Sequence, residues 1–144
     1  MTSTTALFVD TWDWLTLRDR RERRHREAKA TFQEALSRKS GLVTTDFVLD
    51  ETFTLLFRRL PFHEAKTSME LLTTSCEETS VTLLGVSPAR FKSAQALRLK
   101  FKDKPLISFT DLTSMAVMRE LGIRRILTED EHFEQVGFSF ERVP

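Results

Sequence analysis

The fold class this 144-residue chain predicts is a layered α/β fold with a mostly parallel sheet, and two features carry that reading. Short apolar runs of strand length alternate with longer stretches whose apolar residues recur at helical spacing, the order expected of βαβ units. The runs are rich in β-branched and aromatic residues and mostly lack strict apolar–polar alternation, which suits strands covered on both faces.

Each element follows from local pattern. Residues 6–9, Ala-Leu-Phe-Val, make a first buried strand that ends at Asp10. Ala28, Phe32, Ala35 and Leu36 lie at helical spacing, and Gly41 is read as closing that helix. Residues 42–49 are read as a second strand, and Phe53, Leu56, Phe57 and Leu60 as a helical stripe stopped by Pro61. Ala65, Met69 and Leu72 mark another helix, and residues 81–86 a third strand. Pro88 opens the next helix, which carries Phe91, Ala94 and Leu97 as far as Phe101. Ser108 begins a helix with Leu112, Met115, Met118 and Leu121 on one stripe and Gly122 at its end. Residues 123–128 form a fourth strand and residues 138–143 an edge strand.

Composition narrows the function classes. A hydrophobic fraction of 40% with 10% aromatics belongs to a globular chain, and the length suits one domain over residues 1–144. No apolar run approaches the roughly 20 residues that span a bilayer, and the opening residues lack a basic segment followed by an apolar one. A cytoplasmic protein without a membrane partner is expected. The single cysteine, Cys76, excludes an intrachain disulfide and reads as a small buried hydrophobe. A net charge of +1 selects no partner class, although six arginines crowd the stretch from Arg18 to Arg26 against Asp19 and Glu22. Such a run can line a phosphate path, but it reads first as the solvated face of a helix.

The acids carry more. An open parallel sheet places its ligand site outside the carboxyl ends of its strands. Asp10 follows the first strand, Glu51 the second and Asp130 the fourth, while Asp111 begins the helix after residues 105–107. Converging carboxylates repel one another and persist together with a cation between them; oxygen ligands suit Mg²⁺ or Mn²⁺ better than zinc. No zinc-type Cys/His spacing competes. Each acid also has a plainer reading: Asp10 as a helix cap, Asp111 as the return arm of a capping box, Asp130 as a turn residue. Spacing alone names no reaction.

Five segments, taken together, resemble a known family: residues 8–14 (Phe-Val-Asp-Thr-Trp-Asp-Trp), 44–52 (Thr-Thr-Asp-Phe-Val-Leu-Asp-Glu-Thr), 108–114 (Ser-Phe-Thr-Asp-Leu-Thr-Ser), 116–123 (Ala-Val-Met-Arg-Glu-Leu-Gly-Ile) and 127–133 (Leu-Thr-Glu-Asp-Glu-His-Phe). In this order they are similar to the blocks of PIN-domain proteins, most of all the VapC-type toxins of prokaryotic toxin–antitoxin pairs. The resemblance implies a PIN-like three-layer α/β/α sandwich and a carboxylate pocket for one or two Mg²⁺ or Mn²⁺ ions. It also implies metal-dependent endoribonuclease activity on RNA. The family's four acids carry over to Asp10, Glu51, Asp111 and Asp130, with Asp10 and Asp111 as main metal ligands. Glu51 and Asp130 would ligate through water, complete the shell of a second ion or orient the attacking water. A homodimer and a cognate antitoxin whose tail enters the acidic pocket are implied as partners.

Two departures stand out: Glu129 precedes Asp130 where the family has an apolar or aromatic residue more often, and Asp13 is an additional acid. His25, His63 and His132 read as surface or packing residues. Trp12 and Trp14 read as core, with base stacking as their alternative role. A haloacid-dehalogenase-type phosphatase also opens with a strand and an Asp, but it needs a second Asp where Trp12 stands. A housekeeping PIN nuclease of RNA maturation or decay, and a non-catalytic module that binds RNA or a partner, are the remaining alternatives. The second of these predicts loss of an acid, and all four are present.

Overall fold

Leu7, Phe8 and Val9 are each fully buried, and because successive strand residues point to opposite faces, both faces of their strand must be covered. This strand, β1 (Leu7–Val9), is the middle of a five-stranded sheet in the computed structural model, which describes residues 5–38 and 41–144. The opening residues read for a signal segment include residues 1–4, which lie outside the described set. Its neighbours are β2 (Leu42–Thr45) and β4 (Arg125–Leu127), with β3 (Thr82–Leu84) and β5 (Glu141–Val143) at the edges, in the order β3-β2-β1-β4-β5. Every pairing is parallel; Phe8 stands opposite Val43 on one side and Ile126 on the other. The carboxyl ends of β1, β2 and β4 therefore share one edge.

The helices are α1 (Thr11–Arg18), α2 (His25–Ser37), α3 (Asp46–Arg59), α4 (Phe62–Glu77), α5 (Pro88–Lys100), α6 (Phe109–Leu121) and the short α7 (His132–Gln135). The central core joins Leu7, Phe8 and Val9 to Leu112, Met115 and Met118 of α6, Ile126 and Leu127 of β4, and Phe133 of α7. Each large side chain buried this fully contributes about 1.5–3 kcal/mol. Cys76 packs half-buried at the margin of that core, and burial pushes its thiol up.

Several sequence readings need correction. The second strand ends at Thr45, not Leu49. The Thr45 hydroxyl accepts from Val48 N at 3.1 Å and caps α3, so residues 46–49 are its first turn despite their β-forming composition. Glu51 accordingly projects from the second turn of a helix, not from a strand end. The third, fourth and edge strands are likewise shorter than read. Helix α2 stops at Ser37; Gly41, at φ +88°, instead turns the chain into β2 and accepts Leu7 N on its carbonyl. The arginine run is no helix face: it spans the connection between α1 and α2, where Arg21 grips Asp19 at 3.0 and 3.1 Å.

Candidate active site

Asp10 leaves the end of β1 with its backbone N–H on Leu127 O and becomes the N-cap residue of α1. Its side chain is buried. Thr128, the first residue beyond β4, donates its hydroxyl to Asp10 Oδ2 at 2.7 Å and accepts Asp130 N at 3.0 Å. One threonine thus ties the acid after β1 to the acid after β4. Among the described residues nothing donates to the buried Asp10 Oδ1.

Asp111 enters from a third direction. Ser108 caps α6 by accepting Asp111 N at 3.0 Å, which fixes the helix start and leaves the Asp111 carboxylate at a cleft of about 480 Å³. That cleft is also lined by Glu51 from α3, by Asp130 and by Trp12. Asp111 and Asp130 offer carboxylate oxygens, and His132 a ring nitrogen, within 4.8 Å of one another. Asp130 is fixed by His132, whose backbone N–H donates to Oδ1 at 2.8 Å and whose Nδ1 stands 2.9 Å from the same oxygen. The four acids of the sequence reading are thereby gathered at the edge where β1 and β4 end. His132, read as a surface or packing residue, is their neighbour; a histidine two residues after Asp130 was the available signal.

The electrostatics follow from this crowding. Burial raises the Asp10 carboxyl to about 7, against the lowering effect of the Thr128 hydrogen bond, and Asp130 and Asp13 add to the rise. Burial likewise raises Asp111 to about 9, helped by Asp10, Asp130 and Glu51. Among the described residues, no lysine or arginine forms an ion pair with any of the four. The donor set is almost wholly carboxylate oxygen, includes the orphaned buried Asp10 Oδ1, and fits a hard divalent cation.

The PIN domain profile matches residues 7–139, which include all of these side chains. The chain belongs to the PIN-domain family. It is 33% identical over 132 residues to the 23S rRNA-specific endonuclease VapC20 of Mycobacterium tuberculosis, in strains CDC 1551 / Oshkosh and ATCC 25618 / H37Rv alike; the match covers 92% of this chain and 95% of the relative. The crystal structure of M. tuberculosis VapC20, described as a sarcin–ricin-loop-cleaving toxin, superposes with a TM-score of 0.78 at 30% identity, covering 94% of this chain and 98% of that one. The five-stranded parallel sheet flanked by helices is the PIN fold.

The two departures from the PIN pattern meet at one residue. Arg24 Nη1 and Nη2 hold the Asp13 carboxylate at 3.0 and 3.2 Å, and Nη1 also reaches Glu129 Oε1 at 3.1 Å. Both extra acids are paired away from the PIN carboxylate cluster. The other histidines keep their expected places: His25 Nδ1 lies 2.8 Å from Thr16 O, and His63 is exposed. The tryptophans divide. Trp14 is core and donates its indole N–H to Thr44 Oγ1 at 3.1 Å, whereas Trp12 is 41% exposed at the cleft, contrary to the core reading.

Proposed function

We propose that this chain is a metal-dependent endoribonuclease of the VapC type, the toxin of a type II toxin–antitoxin pair, acting in the cytoplasm with the whole chain as one nuclease unit. The observation that carries the metal-dependent chemistry is the convergence of Asp10, Glu51, Asp111 and Asp130 with no pairing lysine or arginine among the described residues. Residues 7–139 carry the PIN domain, and a curated relative across nearly the whole chain is an rRNA endonuclease.

Asp10 and Asp111 are the proposed metal ligands, with Asp130 and Glu51 completing the shell or orienting the attacking water. When bound, a Mg²⁺ or Mn²⁺ ion supplies Lewis-acid polarisation of the phosphoryl group and a more acidic water. Thr128 keeps Asp10 Oδ2 engaged, so that Oδ1 remains the free ligand oxygen. Ser108 fixes the turn from which Asp111 projects, and His132 fixes Asp130. Glu51, half-buried on α3, lines the same cleft, and its proposed part there is to hold a water proton. No protein nucleophile is needed, so hydrolysis goes directly to a free RNA end.

The test is incubation with a ribosomal RNA stem–loop, chosen from the relative's specificity, with Mg²⁺ or Mn²⁺ and with chelator. Cleavage with either ion and none with the chelator is expected; undiminished cleavage in the chelator would overturn the mechanism. A homodimer and an antitoxin that occupies the acidic cleft complete the proposal. Co-purification with the product of a neighbouring short reading frame checks the second partner.

A further inference from the structure

The PIN cluster leaves Trp12 and Arg58, which line the same cleft, unused. Helix α1 turns by about 100° per residue, so Trp12 and Trp14 point about 200° apart. Trp14 takes the inner side, with its ring edge-on to Phe32 at a centroid separation of 5.6 Å. Trp12 takes the outer side, beside Glu51, Asp111 and Asp130. A cation lies against its ring: the Arg59 guanidinium is 5.7 Å from the ring centroid, and Arg59 is itself held by ion pairs to Glu22 and Asp19.

A polyanion gains nothing from a cleft lined by Asp50, Glu51, Asp111 and Asp130 until a cation balances them, and even then only the scissile phosphate meets that cation. Its binding must draw on contacts that do not depend on charge, or on cations at the rim. The rim offers both. Trp12 presents an exposed aromatic face, and Arg58 lines the cleft with no ion-pair partner among the described residues. Stacking of one base on an aromatic side chain is worth roughly 10- to 100-fold in affinity and tolerates any base, but only an unpaired base has a free face to stack.

We infer that Trp12 is a substrate-positioning residue: its ring stacks an unpaired nucleobase next to the scissile phosphate, and Arg58 takes an adjoining phosphate. This rests on the ribonuclease reading above and adds to it the side chains that receive a base and a phosphate beside the scissile bond.

The experiment compares wild type, Trp12→Ala and Trp12→Phe for cleavage of a stem–loop RNA with Mg²⁺, and for quenching of tryptophan fluorescence by a short single-stranded RNA. Melting curves first establish that both variants fold, as an exposed position allows. Trp12→Ala should raise KM about 10-fold or more while kcat falls far less, and Trp12→Phe should recover most of the loss. Wild-type fluorescence should be quenched by the oligonucleotide, and that of Trp12→Phe, whose only indole is the buried Trp14, should not. An unchanged KM in Trp12→Ala, or a collapse of kcat at constant KM, would overturn the inference. If wild type cuts no RNA with either metal, the ribonuclease reading fails instead, and the fluorescence comparison still decides whether Trp12 stacks on bases.

Discussion

Two sets of acids sit side by side in this protein, and they are treated in opposite ways. Asp10 and Asp13 belong to one short segment, and Glu129 and Asp130 are consecutive. Yet Asp13 and Glu129 share Arg24, whereas Asp10 and Asp130 share only the neutral hydroxyl of Thr128. Burial is the leading cause of the raised pKa of Asp13 in the first set and of Asp10 and Asp111 in the second. With Arg24 pulling the other way, the fully buried Asp13 rises only to about 6, while Asp111, surrounded by acids, rises to about 9. The first set is a closed ion-pair network within the fold. The second is an unbalanced group of charges that a fold left to itself has no reason to keep.

The largest expected effect breaks the second set. Asp10→Asn or Asp111→Asn should cut RNA cleavage by more than about 100-fold, beyond what loss of an outer-sphere partner costs a metal site. The metal-free variants should melt at the same temperature as wild type or higher, because each substitution replaces a buried carboxyl that is costly to ionise there with a neutral amide. A clear fall in melting temperature for Asp111→Asn would assign that acid to the helix start, where losing a cap costs about 0.5–2 kcal/mol.

The second prediction uses pH. Asp10 and Asp111 hold their protons to about 7 and about 9 in the folded chain, against an ordinary value of 3.8. The folded state therefore binds more protons than the unfolded one through this window, and the stability it gains falls as pH rises. That contribution is fully present below about pH 4 and is lost as pH climbs through 7 to 9. Denaturant titrations of metal-free protein at pH 5, 7 and 9 should show the decline, and Mg²⁺ should flatten it by binding the ionised form. A metal-free stability that rises across this range would place these carboxyls in a charged, already balanced state.

Third comes the paired set. Arg24→Ala leaves Asp13 buried without its cation, and breaking a buried pair from one side costs about 3 kcal/mol. Asp13→Asn in the same chain should restore part of that loss. If Arg24→Ala is as stable as wild type, Asp13 is not held by the guanidinium, and the contrast between the two sets dissolves.

What could be read from the sequence divides along a similar line. The order of the strands and of the five longer helices, the buried β1 and the positions of Asp10, Asp111 and Asp130 on their elements followed from local pattern, because a run such as Leu7–Val9 or a cap such as Ser108 acts on its own neighbours; α1 and the short α7 were not read. Glu51 was seen as a site acid but misplaced on its element, since residues 46–49 favour a strand by composition and only the Thr45 cap tips them into α3. Arg24 could not be matched to Glu129, 105 positions away, by any local rule. Trp12 was legible in principle: assigning residues 11–18 to a helix would have set it on the opposite side from Trp14.

The smallest effect is expected at the residue that joins the two sets, its side chain in the first and its backbone adjoining Asp130 of the second. Glu129 precedes Asp130, so a shift in the register of the β4–α7 turn would exchange their roles. The contacts in the turn argue against exchange: Asp130 N is fixed on Thr128 Oγ1, Asp130 Oδ1 takes His132 N, and the Glu129 side chain, 39% exposed, points instead to Arg24. Glu129→Ala removes one partly exposed arm of the Arg24 network while Asp13 keeps both guanidinium nitrogens, so it should cost at most about 1 kcal/mol. Its cleavage rate should stay close to wild type. Asp130→Ala should lower cleavage by far more with no larger loss of stability, since Asp130 meets the neighbouring His132 and another acid, Asp111, and among the described residues pairs with no lysine or arginine. Cleavage rates and melting curves for the two variants, measured side by side, decide it. A more damaging Glu129→Ala would mean that the fourth carboxylate of the cleft is Glu129 and that Asp130 merely shapes the turn.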